Sequence, residues 1–131
     1  MTGTPTSYSP LVRALFERLP RAGALAAGPG KRVHGEAKAL DRGAWVRLEA
    51  RIDGGRVAEC AFRAWGCPHV LAAAARVAAC VSGMPVGDEL PTDAHRLAAE
   101  LDTPPEKLGR LLLVEDALRA MLGQARAVQL P

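Results

Sequence analysis

The stretch Trp45–Pro68, WVRLEARIDGGRVAECAFRAWGCP, determines how this chain folds. Apolar and polar side chains alternate over Trp45–Asp53, which predicts a half-buried antiparallel strand. The triplet Asp53–Gly55 predicts a hairpin turn, and Arg56–Trp65 predicts the returning strand. The segment Gly66–Pro68 then marks a corner at which the strand ends and a helix begins. The stretch therefore predicts a hairpin that leads directly into a helix.

Elements of both kinds are predicted on either side of this stretch. Ser9 and Pro10 are good starting residues for an amphipathic first helix, and a weak strand follows it. Glycine, alanine and proline then separate three later helices. The predicted elements are the strand Arg32–Ala37 and the helices Pro68–Ser82, Thr92–Leu101 and a last one that begins with a capping box at Thr103–Glu106. Strands followed by helices predict an α+β fold, in which a three-stranded antiparallel sheet has helices packed on one face.

Length and composition restrict the possible classes of protein. The chain has 131 residues, which we interpret as one domain over 1–131 with residues 1–8 disordered. We expect no membrane segment, because long apolar runs and the apolar core of a signal peptide are absent from the sequence. Three unevenly spaced cysteines fit a reducing, cytoplasmic setting. With no catalytic triad or glycine-rich phosphate loop, we expect no enzymatic turnover.

Positive charge is concentrated in the first part of the chain. Residues 1–51 hold nine Lys or Arg against four Asp or Glu. The chain is poor in aromatic residues and has no DNA-binding motif, so we expect no nucleic-acid partner. The excess charge predicts a solvated basic face or a docking face for an acidic protein.

Cys67 is the main candidate for chemistry. It lies at the predicted start of a helix, where the partial positive charge of the helix end favours the thiolate. His69, two residues on, is a possible auxiliary metal ligand, and His34 is a weaker one. Cys60 and Cys80 fall on apolar faces and are interpreted as core residues. Trp45 and Trp65 flank the site and are interpreted mainly as packing residues.

The order and spacing of several segments give the chain a family resemblance. From Tyr8 to about Gln124 it resembles the IscU/NifU N-terminal type of iron–sulfur cluster scaffold. The segments that carry the resemblance are Tyr8, the turn Pro20–Gly23, the Phe-x-x-x-Gly-Cys element Phe62–Cys67, Gly83, the Pro-Pro element Leu101–Lys107 and the triplet Glu115–Ala117.

The resemblance implies a site that this sequence has altered. Typical members hold a [2Fe-2S] cluster or a zinc ion with three cysteines, aided by Asp or His. The family's Cys-Gly-Asp motif falls on Arg42-Gly43-Ala44, and its His-Cys pair falls on Gly109-Arg110. Only the middle cysteine, Cys67, is present. A cluster would need additional ligands, for example from a second protomer that also donates Cys67.

Two functions follow from this altered pattern. If Arg42 and Arg110 approach Cys67 as the family geometry implies, they form an anion-binding pocket that favours a persulfide over a metal ion. The first hypothesis is therefore a divergent scaffold in iron–sulfur cluster assembly that accepts sulfur on Cys67 from a cysteine desulfurase. The second is an adaptor or regulator that docks a desulfurase or another assembly protein without binding a cluster. The changed Pro-Pro element leaves open whether a chaperone binds.

Overall fold

The computed structural model describes residues 9–18, 21–39, 41, 43–87 and 89–129, with side chains 16–18 outside the description. The strands form one antiparallel sheet in the order β1-β2-β3. This arrangement confirms the predicted fold class. In chain order the elements are α1 (Pro10–Arg18), β1 (Lys31–Ala39), β2 (Ala44–Asp53), β3 (Arg56–Trp65), α2 (Pro68–Val81), α3 (Ala94–Leu101), a 3₁₀ turn (Pro105–Lys107) and α4 (Leu108–Val128).

The β2–β3 hairpin forms where the sequence predicts it. Gly54 and Gly55 have φ values of 60° and 76°, which a two-residue turn of this kind requires and glycine adopts readily. From this turn the pairing runs to Trp45 opposite Trp65, with one bulge beside Ile52. Register over the whole hairpin fixes where β3 ends, and with it the start of α2.

The core lies between one face of the sheet and the helices. Helix α2 packs on β3, and α4 packs on β1 and β2. Alanine side chains let α2 approach its neighbours closely, because a methyl group adds little to the helix radius. The large, fully buried side chains at this interface include Leu48, Phe62, Leu118 and Met121. Burying a side chain of this size stabilises the fold by about 2–3 kcal/mol.

Helix α4 makes its closest approach to the sheet at Gly35. A Cβ atom placed on Gly35 would collide with the carbonyl oxygen of Ala117 and the amide nitrogen of Met121. Both are backbone atoms of α4, so no rotamer change could relieve the collision. The absence of a side chain at position 35 is therefore a requirement of this packing.

The segment between α1 and β1 begins at the free edge of β3 and continues to Arg51 of β2. Gly23 donates its N–H to the carbonyl of Phe62 at 2.9 Å, and the Phe62 N–H donates to the carbonyl of Arg21 at 2.9 Å. Further on, the Arg51 guanidinium donates to the carbonyl of Pro29 at 2.9 Å. The segment thus satisfies backbone groups at an edge that would otherwise be open to pairing with another strand.

Two of the four predicted helix starts, those of the third and the last helix, differ from the structure. The first is confirmed, since the Ser9 hydroxyl accepts the Val12 N–H at 3.2 Å. The third helix begins at Ala94 and not at Thr92, because the carboxylate of Asp93 caps it by accepting the Arg96 N–H at 2.9 Å.

The predicted capping box at Thr103–Glu106 is wrong. A 3₁₀ turn over Pro105–Lys107 precedes α4, which begins at Leu108 without a side-chain cap. The hydroxyl of Thr103 instead contacts the ring of His69. A tertiary contact therefore occupies the group that the sequence pattern assigns to the helix end.

Some predictions fall on residues that the structure does not describe. These are the disorder of residues 1–8, including Tyr8, and the roles of Pro20 and Arg42. Among the described residues, the helices are all too short or too polar to cross a lipid bilayer.

The contact at Gly35 makes a direct prediction about stability. Gly35→Ala should lower the free energy of unfolding by about 3 kcal/mol, because the added methyl group forces α4 away from β1. Gly123→Ala is the matched control, since a Cβ there meets nothing within 4 Å and alanine favours a helix. Chemical denaturation measures both, and equal stability of the two variants would contradict this packing.

Candidate functional site at the start of α2

Cys67 occupies the corner between β3 and α2. Its backbone has φ −73° and ψ 166°, and it serves as the N-cap residue of α2 without a side-chain capping bond. Its carbonyl accepts the N–H groups of Val70 at 3.0 Å and Leu71 at 3.2 Å. Backbone hydrogen bonds therefore form the start of the helix. The half-buried thiol is not used to cap it.

Gly66 shapes this corner. Its φ of 149° lies in a region that L side chains rarely adopt, and a Cβ there would lie 3.3 Å from the Cβ of Val70. The chain can therefore turn sharply out of the sheet just before Cys67.

The β1–β2 turn lies beside the same corner. Ala39 pairs with Ala44 at the end of β1, and Trp45 pairs with Trp65 at the end of β3. A Cβ on Gly43 would lie 4.0 Å from the indole ring of Trp65. The hairpin register thus brings the Gly43–Ala44 turn next to the residues that precede Cys67.

Helix α4 contributes the third side of the site through its first turn. The other end of α4 lies by the start of β1, where the Lys31 ammonium donates to the carbonyl of Val128 at 3.4 Å. The helix therefore begins near the far end of β1, which is the end that carries the Gly43–Ala44 turn. At this end the Nδ1 atom of His69 lies 2.8 Å from the Thr103 hydroxyl, in the segment that leads into α4.

The surroundings of His69 are positively charged. The residue is only 2% exposed. Burial, together with the charges of Lys107 and Arg110, lowers the pKa of His69 against the opposing effect of Asp102. His69 is therefore neutral at pH 7, and the site has an electrostatic character that disfavours an additional cation.

The other two cysteines are not part of this corner. Cys60 is fully buried in the core, and burial raises the pKa of its thiol to about 12, so it is unreactive at neutral pH. Cys80 was predicted to be a core residue, but it is half-buried and lines a small cleft with Arg76, Arg96 and Glu100. Within the described part of the chain, no three residues of the types His, Cys, Asp and Glu group together as metal ligands.

Comparison with known proteins assigns the family. The sequence model described as the NifU-like N-terminal domain matches residues 8–129. The chain belongs to the NifU-like N-terminal domain family. This confirms the resemblance that the spacing of the Phe-x-x-x-Gly-Cys and Pro-Pro elements indicates.

Curated relatives of this NifU-like domain share a modest part of its sequence. It is 31% identical over 78 residues to the iron–sulfur cluster assembly protein 3 of Arabidopsis thaliana, covering 59% of this chain and 46% of that protein. It is 26% identical over 85 residues to the iron–sulfur cluster assembly scaffold protein IscU of Haemophilus influenzae, covering 64% and 68%. The match thus spans about half the length of the plant relative.

Solved structures share the fold of this NifU-like domain. A proposed scaffold protein for the SUF system of Fervidobacterium islandicum superposes with a TM-score of 0.63 at 18% identity, covering 88% of this chain and 96% of that one. The N-terminal region of a nitrogen-fixing NifU-like protein from Brucella abortus gives a TM-score of 0.50 at 16% identity, covering 92% and 83%. At such identities the similarity shows the fold alone.

The positions that the resemblance assigns to the family's ligands lie in the β1–β2 turn, at the start of α2 and in the first turn of α4. Ala44 is buried and has no ligating atom, and Gly109 and Arg110 lie half-buried in the first turn of α4. Arg42 lies outside the described residues. The donor set of these positions, with only Cys67 and the already hydrogen-bonded His69, does not fit a [2Fe-2S] cluster or a tetrahedral zinc ion.

Three of the sequence interpretations need correction or addition. His34 lies exposed in the middle of β1 opposite Glu49, on the sheet face turned away from α2, and so does not approach Cys67. Trp65 is 46% exposed, so its ring packs only in part. The sequence analysis missed Thr103 and Lys107 as neighbours of His69. The position of Lys107 immediately before α4 was the available signal.

The lowered pKa of His69 predicts how stability depends on pH. Below its ordinary pKa of about 6.5, the unfolded chain binds a proton at His69 that the folded protein resists, so stability falls as the pH drops. Between about pH 7.5 and about pH 5.5, wild-type protein should lose more unfolding free energy than His69→Asn. Urea denaturation at each pH measures the difference, and parallel losses in both proteins would show that His69 is not held neutral.

Proposed function

We propose that this NifU-like domain acts in iron–sulfur cluster assembly as a scaffold-like protein that accepts sulfur on Cys67, without holding a complete cluster by itself. The observation that carries the proposal is the environment of Cys67. Its thiol makes no capping bond at the start of α2, and the charges of Lys107 and Arg110 act on His69 two residues away. A nucleophilic sulfur at a helix start beside fixed cations suits an anionic sulfur species.

The sulfur would come from a persulfide on a cysteine desulfurase. The Cys67 thiolate attacks the terminal sulfur of that persulfide. A new S–S bond to Cys67 forms, the S–S bond of the donor breaks, and the electron pair of the broken bond leaves on the donor thiolate. The step exchanges one persulfide for another, so no external oxidant or reductant is required.

Residues around Cys67 support this step without being consumed in it. The partial positive charge at the start of α2, together with Arg110, would stabilise the attacking thiolate and the persulfide anion that results. His69 is kept neutral and hydrogen-bonded to Thr103, so it would position the first turn of α2. The chain would thus transfer sulfur stoichiometrically and would have no turnover of its own.

The side chains available as metal ligands at this site are too few for a cluster held by one protomer. The resemblance assigns further ligand positions to Ala44, Gly109 and Arg110, none of which would ligate iron, and the charge of Arg110, which acts on nearby His69, would oppose a cation. In this proposal, another protein supplies the ligands that a cluster of iron and sulfide needs. Iron binding by this chain alone is not part of the proposed function.

A second function, from a different class, is favoured by the same substitutions. The domain retains the family's fold, although the resemblance assigns non-ligating residues to the ligand positions. This combination is expected if the domain functions by binding a partner through its surface and not by holding a cluster. It would then act as an adaptor that docks a cysteine desulfurase or another assembly protein. This alternative requires binding but no sulfur on Cys67.

Mass spectrometry after incubation with a cysteine desulfurase and cysteine distinguishes the two functions. Wild-type protein should gain the mass of one sulfur atom on the peptide that contains Cys67, and a reductant should remove it. Cys67→Ser should abolish the gain. Cys80→Ser is the matched control, because Cys80 is also half-buried on α2 yet lies away from the site.

The possible results of this experiment distinguish the two functions. Sulfur on Cys67 supports the acceptor function. Stable desulfurase binding without added sulfur supports the adaptor and contradicts sulfur acceptance. Equal labelling of Cys67 and Cys80 would show general thiol reactivity and would also contradict a dedicated acceptor site.

A further inference from the structure

The outer face of the sheet, opposite α2 and α4, carries an unusual group of side chains near the Cys67 corner. Register places Lys38, Trp45 and Trp65 in one row across the three strands, with Glu36, Arg47 and Arg63 in the next same-face row. We call these six residues the aromatic–cationic patch. It ends two residues before Cys67.

Much of the patch is open to solvent. Trp65 is 46% exposed, and the side chain of Arg63 is 51% exposed. The segment that precedes β1 pairs with the edge of β3 at Phe62 and leaves these two side chains uncovered. Exposed tryptophan beside arginine is the composition that contributes most strongly to protein–protein binding.

One half-buried carboxylate, that of Glu49, pairs with the two arginines. Glu49 accepts from Arg63 at 3.0 Å and from Arg47 at 3.4 Å, and its side chain is only 15% exposed. Burial alone would raise the pKa of Glu49, but the hydrogen bond from Arg63 and the charges of both arginines outweigh it and lower the pKa. One negative charge is thus shared by two guanidinium groups, which leaves a net positive charge at the surface.

Further charges make the surroundings of the patch more positive. Lys38 is exposed, and among the described residues no ion pair involves it. Arg21 lies exposed at the edge of β3, where its carbonyl accepts the Phe62 N–H. The exposed carboxylate of Glu36 accepts the indole N–H of Trp45, which holds that ring against the sheet. Within the patch itself, the cations Lys38, Arg47 and Arg63 therefore outnumber the carboxylates of Glu36 and Glu49, which are already hydrogen-bonded.

We propose that the aromatic–cationic patch is a docking surface for an acidic segment of a partner protein. An apolar side chain of that segment contacts the exposed ring of Trp65, and carboxylates on either side of it contact Arg63 and Lys38. Charge complementarity orients the segment, and burial of the indole ring supplies the contact area.

Other occupants fit the patch less well. A nucleic acid needs a continuous path of cations and successive exposed rings, but Glu36 and Glu49 interrupt the cations, and Trp45 is held by Glu36. A second copy of this chain would bring the same excess of positive charge against itself. A peptide can place its carboxylates selectively and avoid Glu36.

The location of the patch connects it to the proposed function. The ring of Trp65 lies beside the Gly43 turn, next to the corner that carries Cys67. A partner bound to the patch would therefore lie close to the thiol. The inference rests on the proposed function only for the role of the partner. The test of the docking surface measures peptide binding and not sulfur transfer, so the docking inference and the proposed function can fail independently.

Indole N–H signals provide the readout, because the chain has two tryptophans. The probe is a synthetic peptide in which glutamates flank one leucine, titrated into the full chain labelled with nitrogen-15. The Trp65 indole signal should shift on titration, and added salt should weaken the binding. Trp65→Ser and Arg63→Glu should each weaken binding at least about tenfold, as measured by calorimetry.

Matched controls lie elsewhere on the surface. Leu112→Ser removes another exposed apolar side chain, 42% exposed, and Arg96→Glu reverses another exposed arginine. Both should bind the peptide like the wild type. Absence of binding, an unshifted Trp65 signal, or equal binding by Arg63→Glu would overturn the inference. Tighter binding of a lysine-containing peptide or of single-stranded oligothymidylate would also overturn it.

Discussion

The packing of α4 against β1 at Gly35 is the contact on which the position of the site depends. Because Gly35 has no side chain, the backbone of α4 at Ala117 and Met121 lies directly on the strand. The direction of α4 then places its last turn by the start of β1 and its first turn by the far end of that strand. The same end of the sheet carries the β1–β2 turn and, through the hairpin register, the corner at Cys67. The β1–β2 turn, the corner at Cys67 and the first turn of α4 therefore lie at the same end of the sheet.

The residues at the Cys67 corner determine which chemistry is possible there. The fold places the half-buried thiol of Cys67 at a helix start, while the positions that the resemblance assigns to further ligands hold Ala44, Gly109 and Arg110. Burial lowers the pKa of His69 most, and the charges of Lys107 and Arg110 act in the same direction against that of Asp102, so these two residues add positive potential at the corner. Such a potential favours anions and opposes a bare metal ion. The geometry of a scaffold is therefore combined with an electrostatic environment better matched to sulfur transfer or docking.

The sequence predicts most of the fold but less of the site. Period-two alternation and the Gly54–Gly55 turn determine the hairpin locally, so its prediction succeeds. The helix start at Thr103 is predicted wrongly because its hydroxyl makes a contact with His69, 34 residues away, that no local pattern reveals. The exposure of Trp65 depends on the path of the segment before β1, which is likewise a tertiary property. Cys67 is identifiable from the sequence because its corner is local, whereas the contact of His69 with Thr103 and its proximity to Lys107 are tertiary.

Anaerobic reconstitution with iron and sulfide, followed by visible absorption, tests the central claim most directly. The purified chain alone should develop no charge-transfer bands, because Cys67 and a hydrogen-bonded His69 beside two cations cannot complete a cluster. Stable bands that disappear in Cys67→Ser would contradict that claim, since they would show that this corner holds a cluster despite its replaced ligands.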